Sequence, residues 1–287
     1  MDWERLRHRW PNAAYSRFVQ AEGVRWHVQQ AGTQGPRVLL LHGTGASLHT
    51  WRDILPGLAQ RAQVLAVDLP GHAFSSLAPG DGMSLPGMAR GLAGLLKTLN
   101  WQPDAWVGHS AGAAIAAEMV LTQGWQPQVL IGINPAWLPL PGLAGLLFPP
   151  AAKLLALTPF VPGWFARQAS SPGMVEKLLQ STGSTLDAEG TALYALLVAS
   201  PSHAQGALSM MAAWDLSAGR QTLRALRCPV RMLVGGQDRT VPPSLAVSAL
   251  PWLQDGQLAT WPDFGHLVHE EAPKDTLDHL HRHLLLE

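Results

Sequence analysis

The run Gly108-His109-Ser110-Ala111-Gly112 sets a serine between two glycines, each two positions away. A serine hydroxyl is a poor nucleophile at neutral pH and needs a base beside it to take its proton. The candidate base is His266, in DFGHLVHEEAP, and the candidate acid that would orient its imidazole is Asp238, in LVGGQDRTVPP. In these roles Ser110 attacks a carbonyl to form an acyl-enzyme, while His266 receives the proton and later delivers it to the leaving group. The oxyanion formed on the way needs N–H donors. Two backbone amides suit it: that of Ala111, at the start of a helix, and that of Thr44, in the glycine-rich turn His42-Gly43-Thr44-Gly45.

Each residue also has a plainer reading. Ser110 could serve a turn, Asp238 a helix cap and His266 the core. His269 offers a second imidazole close by, but further into a helix, and Asp215 in AAWDLSAG offers a second carboxylate better suited to capping or an ion pair. His279, His281 and His283 alternate near the end of the chain. In a helix His279 and His283 share a face that His281 does not, and no carboxylate or cysteine set completes a ligand group, so no metal is expected. No phosphate-cradling loop follows a strand in the required pattern, and no cofactor is expected.

The elements around these residues place them. VRWHVQQ (24–30) alternates as an early antiparallel strand should, and RVLLLHG (37–43) is a short apolar run ending in glycine, suited to a buried strand. LHTWRDILPGLAQ (48–60) has helical periodicity despite Pro56; AQVLAVDLPG (62–71) is strand-like and LPGMARGLAGLLKTLN (85–100) helix-like. DAWVGHS (104–110) leads as a strand into the alanine-rich helix AGAAIAAEMVLT (111–122), and QVLIGIN (128–134) follows as a strand. Ser110 therefore sits at a sharp strand-to-helix turn, where a side chain at 108 or 112 would obstruct the bend. After Asn134 the alternation stops, and residues 135–222 carry helical stretches with no convincing strand. It resumes with PVRMLVGGQD (229–238), GQLATWPD (256–263) and a closing helix through HEEAPKDTLDHLHRHLL. The expected fold is α/β: a mostly parallel sheet with helices on both faces, the core being 1–134 and 223–287, with a helical cap inserted at 135–222.

Composition narrows the function. Across 287 residues, twenty basic and twenty acidic side chains cancel, so nothing draws the protein to nucleic acid. Charged residues are only 14% and apolar ones 47%; twelve tryptophans are many for this length, some as core filler, with any surplus free to line a flat, aromatic-friendly pocket. A single cysteine, Cys228, excludes an internal disulfide framework and fits a reducing compartment. The polar N-terminus has no signal-peptide core, and prolines interrupt the most apolar region, 135–166; a cytoplasmic location is expected. Between Asn134 and Ala166 the only charged residue is Lys153. The cap either packs on the core, receives a bulky apolar ligand on its inner face, or rests its outer face on a membrane. Trp137, Phe148, Met211 and Trp214 are the candidate ligand-facing residues.

HGTGASLHTWRD, DLPGHAFS, GHSAG, GGQDRTVPP and GHLVHEEAP together resemble the α/β-hydrolases over nearly the whole chain. WPNAAYSRFVQAEGVRWHVQQAG, SLPGMARGLAGLL and STGSTLDAEGTALYALLVASPSHAQGALSMMAAWDL, outside the catalytic motifs, look like the BchO proteins, magnesium-chelatase accessory proteins of bacteriochlorophyll synthesis. The resemblance implies a place near the step that inserts magnesium into protoporphyrin IX, with a tetrapyrrole as possible ligand, magnesium-chelatase subunits as partners and a peripheral position at the photosynthetic membrane. It maps Ser110, Asp238 and His266 to the superfamily's triad, with Thr44 and Ala111 as oxyanion donors. Many relatives carry glycine where this chain has Ala73, a departure expected to touch packing more than chemistry. Three functions are open: a serine hydrolase acting on an ester, thioester or amide; a porphyrin-binding or chelatase-assisting protein that does no chemistry; or a cofactor-independent lyase or haloperoxidase-like enzyme.

Overall fold

The computed structural model describes residues 1–140, 163 and 173–284. Among the described residues eight strands form one sheet: β1 (Ser16–Ala21), β2 (Val24–Ala31), β3 (Arg37–Leu41), β4 (Gln63–Val67), β5 (Ala105–His109), β6 (Val129–Ile133), β7 (Val230–Gly235) and β8 (Gly256–Trp261). Their order is β1-β2-β4-β3-β5-β6-β7-β8. β2 pairs antiparallel with both β1 and β4, and all the other pairings are parallel. Because β3 lies between β4 and β5, the chain leaves β3 toward one edge of the sheet and β5 toward the other. That reversal opens a crevice at the carboxyl ends of these two strands.

The helices among the described residues are α1 (Trp3–Leu6), α2 (Leu55–Leu58), α3 (Leu85–Thr98), α4 (Ala111–Gln123), α5 (Met174–Ser181), α6 (Ala188–Val198), α7 (Pro201–Ala212), α8 (Gly219–Ala225), α9 (Pro243–Ala249), α10 (Val268–Glu271) and α11 (Pro273–His283). Their starts follow local chemistry. Ser84, Asp187 and Ser200 each accept a backbone N–H from the first turn of α3, α6 and α7, and Pro86 and Pro201 occupy first-turn positions where no amide donor is needed. Between β6 and β7 the described residues form α5 to α8 and no strand. None of the described helices is long and apolar enough to cross a membrane.

The sheet is buried on both faces, as its continuous apolar strands require. Leu39, Leu41 and Trp106 join one core with α3 and α4, while Val38, Leu40, Ala105 and Val107 join the other. α4 is buried almost all round, so its alanines admit close neighbours. Trp26 is wholly buried on the α3 side, and its indole N–H donates to the Ala21 carbonyl at 3.1 Å.

Three expectations change. β1 precedes the first anticipated strand and pairs with it. Residues 48–60 do not form one helix but a 3₁₀ turn (Leu48–Trp51) and the single turn of α2. Pro56 has no N–H to meet the Arg52 carbonyl, which accepts the Asn12 side-chain amide at 2.9 Å instead. The closing helix divides at Ala272, whose φ of −132° and ψ of 62° leave the helical region ahead of Pro273.

Trp26→Ala leaves a cavity beneath α3 and is expected to cost about 3–5 kcal/mol, measured as a lowered urea midpoint.

Candidate active site

Ser110 has φ 51° and ψ −117°, between the last residue of β5 and the first of α4. This strained conformation holds only because the surroundings leave no alternative. A Cβ at 108 would lie 2.5 Å from the Ala113 backbone, and one at 112 would overlap the Leu41 carbonyl oxygen of β3. Both flanking positions therefore admit only glycine. The Ser110 amide donates to the Ile133 carbonyl at 2.9 Å, tying the bend to β6.

The acid and base come from the loops after β7 and β8, which pair with each other and are separated from β5 by β6. His266, after β8, places Nδ1 2.7 Å from Oδ2 of Asp238, after β7. The same oxygen accepts from the side-chain amide of Asn134 at 2.6 Å, and Oδ1 accepts the amides of Thr240 at 2.7 Å and Val241 at 2.9 Å. Four donors converge on one buried carboxylate, which satisfies both of its oxygens and locks its orientation. With Nδ1 committed to Asp238, Nε2 is the nitrogen of His266 available to take a proton. His109, preceding the serine, donates from Nε2 to the His266 carbonyl at 2.9 Å, and the two rings lie 4.7 Å apart. The histidine loop is held from its other side by residues between α5 and α6: the Leu267 amide donates to Ser184 Oγ at 2.8 Å, and a Cβ at Gly265 would overlap the Gly183 backbone.

The turn after β3 supplies the opposite wall. Gly43 packs so closely that a Cβ there would lie 2.9 Å from the Ser110 Cβ. Among the described residues no acceptor is paired with the Thr44 amide, and the Ala111 amide opens α4 with no preceding turn to bond. Three imidazoles hold this turn. His42 Nδ1 donates to the Gly43 carbonyl at 2.7 Å while its Nε2 accepts the Leu69 amide at 2.9 Å. His72 Nε2 accepts the Gly45 amide at 3.2 Å, and its Nδ1 donates to the Pro70 carbonyl at 3.0 Å. His203, from α7, accepts the Ala73 amide on Nδ1 at 3.0 Å and donates from Nε2 to the Gly45 carbonyl at 3.1 Å. Burial pushes His42 well below the usual imidazole range, lowers His72, and pushes His203 down to about 3. Each ring is thereby neutral with one donor and one acceptor nitrogen.

His269 reaches the same region without meeting Asp238. Its ring lies 4.4 Å from that of His109, and its Nε2 is 2.6 Å from Thr50 Oγ1. Glu270 accepts from Thr50, from Tyr194 of α6 at 2.8 Å and from Arg52 at 2.9 Å. Burial nevertheless pushes its carboxyl up to about 7. Asp215 accepts the Ser217 amide at 2.8 Å in the turn between α7 and α8 and caps neither helix, since α8 starts from Ala218 with no side-chain cap. The rings of His279 and His283 meet edge to face, centroids 4.5 Å apart, on α11.

The ligand-facing candidates divide. Trp137 is buried, its indole donating to the Ala113 carbonyl at 2.9 Å, and it lines a cavity of about 120 Å³ with Glu118, Asp215 and Thr222. Trp214 is half-buried against the α3 and α4 core. The methionine that reaches the oxyanion turn is Met210, whose sulfur accepts from Thr44 Oγ1 at 3.3 Å; Met211 is half-buried one position on. Phe148 lies outside the described residues. Ala73 corrects the packing expectation, since its φ of 42° makes the departure from glycine a matter of backbone conformation. Asn134 was not anticipated, although QVLIGIN ends a buried strand in a residue tolerant of the left-handed conformation it adopts, φ 45°.

The family model for the alpha/beta hydrolase fold matches residues 36–273, and the chain belongs to that family. It is 38% identical to the magnesium-chelatase 30 kDa subunit of Rhodobacter capsulatus over 95% of each chain. It is also 28% identical to the pimeloyl-[acyl-carrier protein] methyl ester esterase of Methylococcus capsulatus over 78% of this chain and 84% of that one. An alpha/beta hydrolase fold protein from Burkholderia ambifaria superposes with a TM-score of 0.76 at 23% identity, covering 93% of this chain and 97% of the other.

The buried imidazoles make the fold acid-sensitive. His42, His49, His72, His109, His203 and His269 all have lowered pKa values through burial. Unfolded, each takes a proton below about pH 6.5, whereas the folded chain does not. Stability therefore falls as pH drops through that value, by about 1.4 kcal/mol per pH unit for each ring. Glu270, raised in the fold, runs the other way between 4.5 and about 7, and Glu118 is raised as well, two carboxyls against the larger set of imidazoles. Urea midpoints at pH 7.5, 6.5 and 5.5 should decline in that order; a flat series contradicts this account.

Proposed function

We propose that the protein is a serine hydrolase in which Ser110 is the nucleophile, His266 the general base and acid, and Asp238 the group that orients and stabilises the imidazolium. The observation that carries this reading is the strained Ser110 elbow at the end of β5, with a His266–Asp238 pair at 2.7 Å in the loops after β8 and β7 at the same end of the sheet. Strain of this kind exposes a serine hydroxyl at the top of the sheet, a conformation that a plain turn does not need. Attack by Oγ on a carbonyl transfers the serine proton to His266 Nε2, and the resulting oxyanion takes hydrogen bonds from the Thr44 and Ala111 amides. Collapse expels the leaving group with that proton, and water repeats the sequence on the acyl-enzyme. We assign the segment 135–222 to a cap over this crevice and the substrate to an ester, thioester or amide of a bulky apolar molecule. A tetrapyrrole ester suits both the apolar cap sequence and the similarity to a magnesium-chelatase subunit.

That same similarity favours a second reading, a porphyrin-binding or chelatase-assisting role in which Ser110 does no chemistry. Peripheral contact with a membrane through the cap is compatible with either.

A fluorophosphonate probe is expected to label the wild-type chain and not Ser110→Ala. With a p-nitrophenyl ester, Ser110→Ala should lose at least about 10⁴-fold in kcat/KM and Asp238→Asn on the order of 10⁴-fold. The two readings part in a Rhodobacter capsulatus strain lacking its 30 kDa magnesium-chelatase subunit. If this chain restores pigment there, the Ser110→Ala variant should not; equal restoration by both removes catalysis from the pathway role.

A further inference from the structure

Helix α7 meets the active-site loops along one face. His203 bonds Gly45 and Ala73; a Cβ at Gly206 would overlap the Gly71 carbonyl oxygen; Met210 receives the Thr44 hydroxyl at 3.3 Å. These positions are three and four residues apart, one stripe of a helix. Gly206 lets the helix lie directly on the backbone after β4, so α7 is a wall of the crevice and not merely a neighbour of it.

The oxyanion turn needs such a wall because its Thr44 amide must point into the crevice with no partner of its own. A trans peptide is planar, so fixing the carbonyl at one end of the unit fixes the N–H at the other. His42 holds the Gly43 carbonyl and with it the plane that carries the Thr44 amide. His72 holds the Gly45 amide, the next plane, and His203 holds the Gly45 carbonyl, the plane after that. Three consecutive peptide planes are each gripped by one imidazole. Only the third grip comes from the helices between β6 and β7.

We propose that His203 is a positioning residue for the oxyanion-binding amide of Thr44, acting through Gly45 and coupling the placement of α7 to the rate of the chemical step. This rests on Ser110 being the nucleophile. His203 touches neither substrate nor reacting atoms. Its Nε2–H restrains the turn, and its Nδ1 restrains Ala73 in the left-handed conformation.

The two nitrogens can be separated. In His203→Gln the terminal amide nitrogen falls where Nε2 was and keeps the donor to Gly45, whereas in His203→Asn the side-chain oxygen falls where Nδ1 was and keeps only the acceptor for Ala73. With p-nitrophenyl butyrate, the Asn variant should lose about 10-fold in kcat with KM within about 2-fold, a fraction of the 10²–10³ that loss of an oxyanion donor costs. The Gln variant should stay within about 3-fold of wild type. Thermal melts identify either variant that fails to fold, and ¹⁵N-labelled protein reads the turn directly. The Thr44 and Gly45 amide resonances should shift in the Asn variant and hold in the Gln variant. Equal losses in both variants, a change confined to KM, or unmoved amide resonances in the Asn variant overturn the proposal. Failure of wild type to react with a fluorophosphonate would overturn the hydrolase reading separately, and the amide resonances would still decide whether His203 sets the turn.

Discussion

A neutral imidazole donates one hydrogen bond and accepts one, and the loops at the carboxyl end of this sheet are assembled around that pairing. A protonated ring would lose its acceptor, and an alkyl side chain would leave two backbone groups buried without partners. His42, His72 and His203 each satisfy one amide and one carbonyl from different loops, so that the turns after β3 and β4 and the helix α7 are joined without any ion pair. Burial keeps the rings uncharged, and their uncharged state is what lets them bridge. The region around Ser110 is accordingly low in mobile charge, and Asp238 is the anion that His266 meets there.

Rigidity at the sheet ends gives the strained elbow its support. Gly108 and Gly112 press α4 against β3 and β5, the Ser110 amide is tied to β6, and Asp238 is held by four donors drawn from three segments of the chain. Asn134 belongs to this set as much as the base does. Its N–H reaches the same Asp238 oxygen as His266, so the carboxylate's charge is shared between two donors. Its own side-chain oxygen is buried and meets no donor among the described residues, a cost the site carries to keep that geometry.

The sheet, its mostly parallel order and the placement of Ser110, Asp238 and His266 at strand ends were legible because each signal is local: a buried apolar run followed by a polar or glycine residue. What escaped was non-local. His203 sits in HAQGALSMMAAW as an ordinary polar residue of a helix, and only the fold brings it across 158 positions to Gly45. Met210 and Met211 are indistinguishable in sequence, and the helix phase alone decides which meets Thr44. β1 carries a weak alternation that its pairing with β2 stabilises. The helical period of residues 48–60 was real, but Pro56 has no N–H for the Arg52 carbonyl, which takes the Asn12 side chain instead. Ala73 was visible as a departure, though the left-handed backbone it must adopt was not.

The meeting of Gly206 with Gly71 has a consequence for how such a protein could diversify. Even a single added carbon at 206 would collide with the opposing carbonyl. Drift at that point is therefore closed unless the whole helix moves and releases the Gly45 carbonyl. New ligand preferences would have to arise elsewhere on the crevice, at side chains not engaged in holding the turn. The substrate-selecting surface and the oxyanion support are then inherited as separate modules: one free to vary, the other held by two glycines in contact.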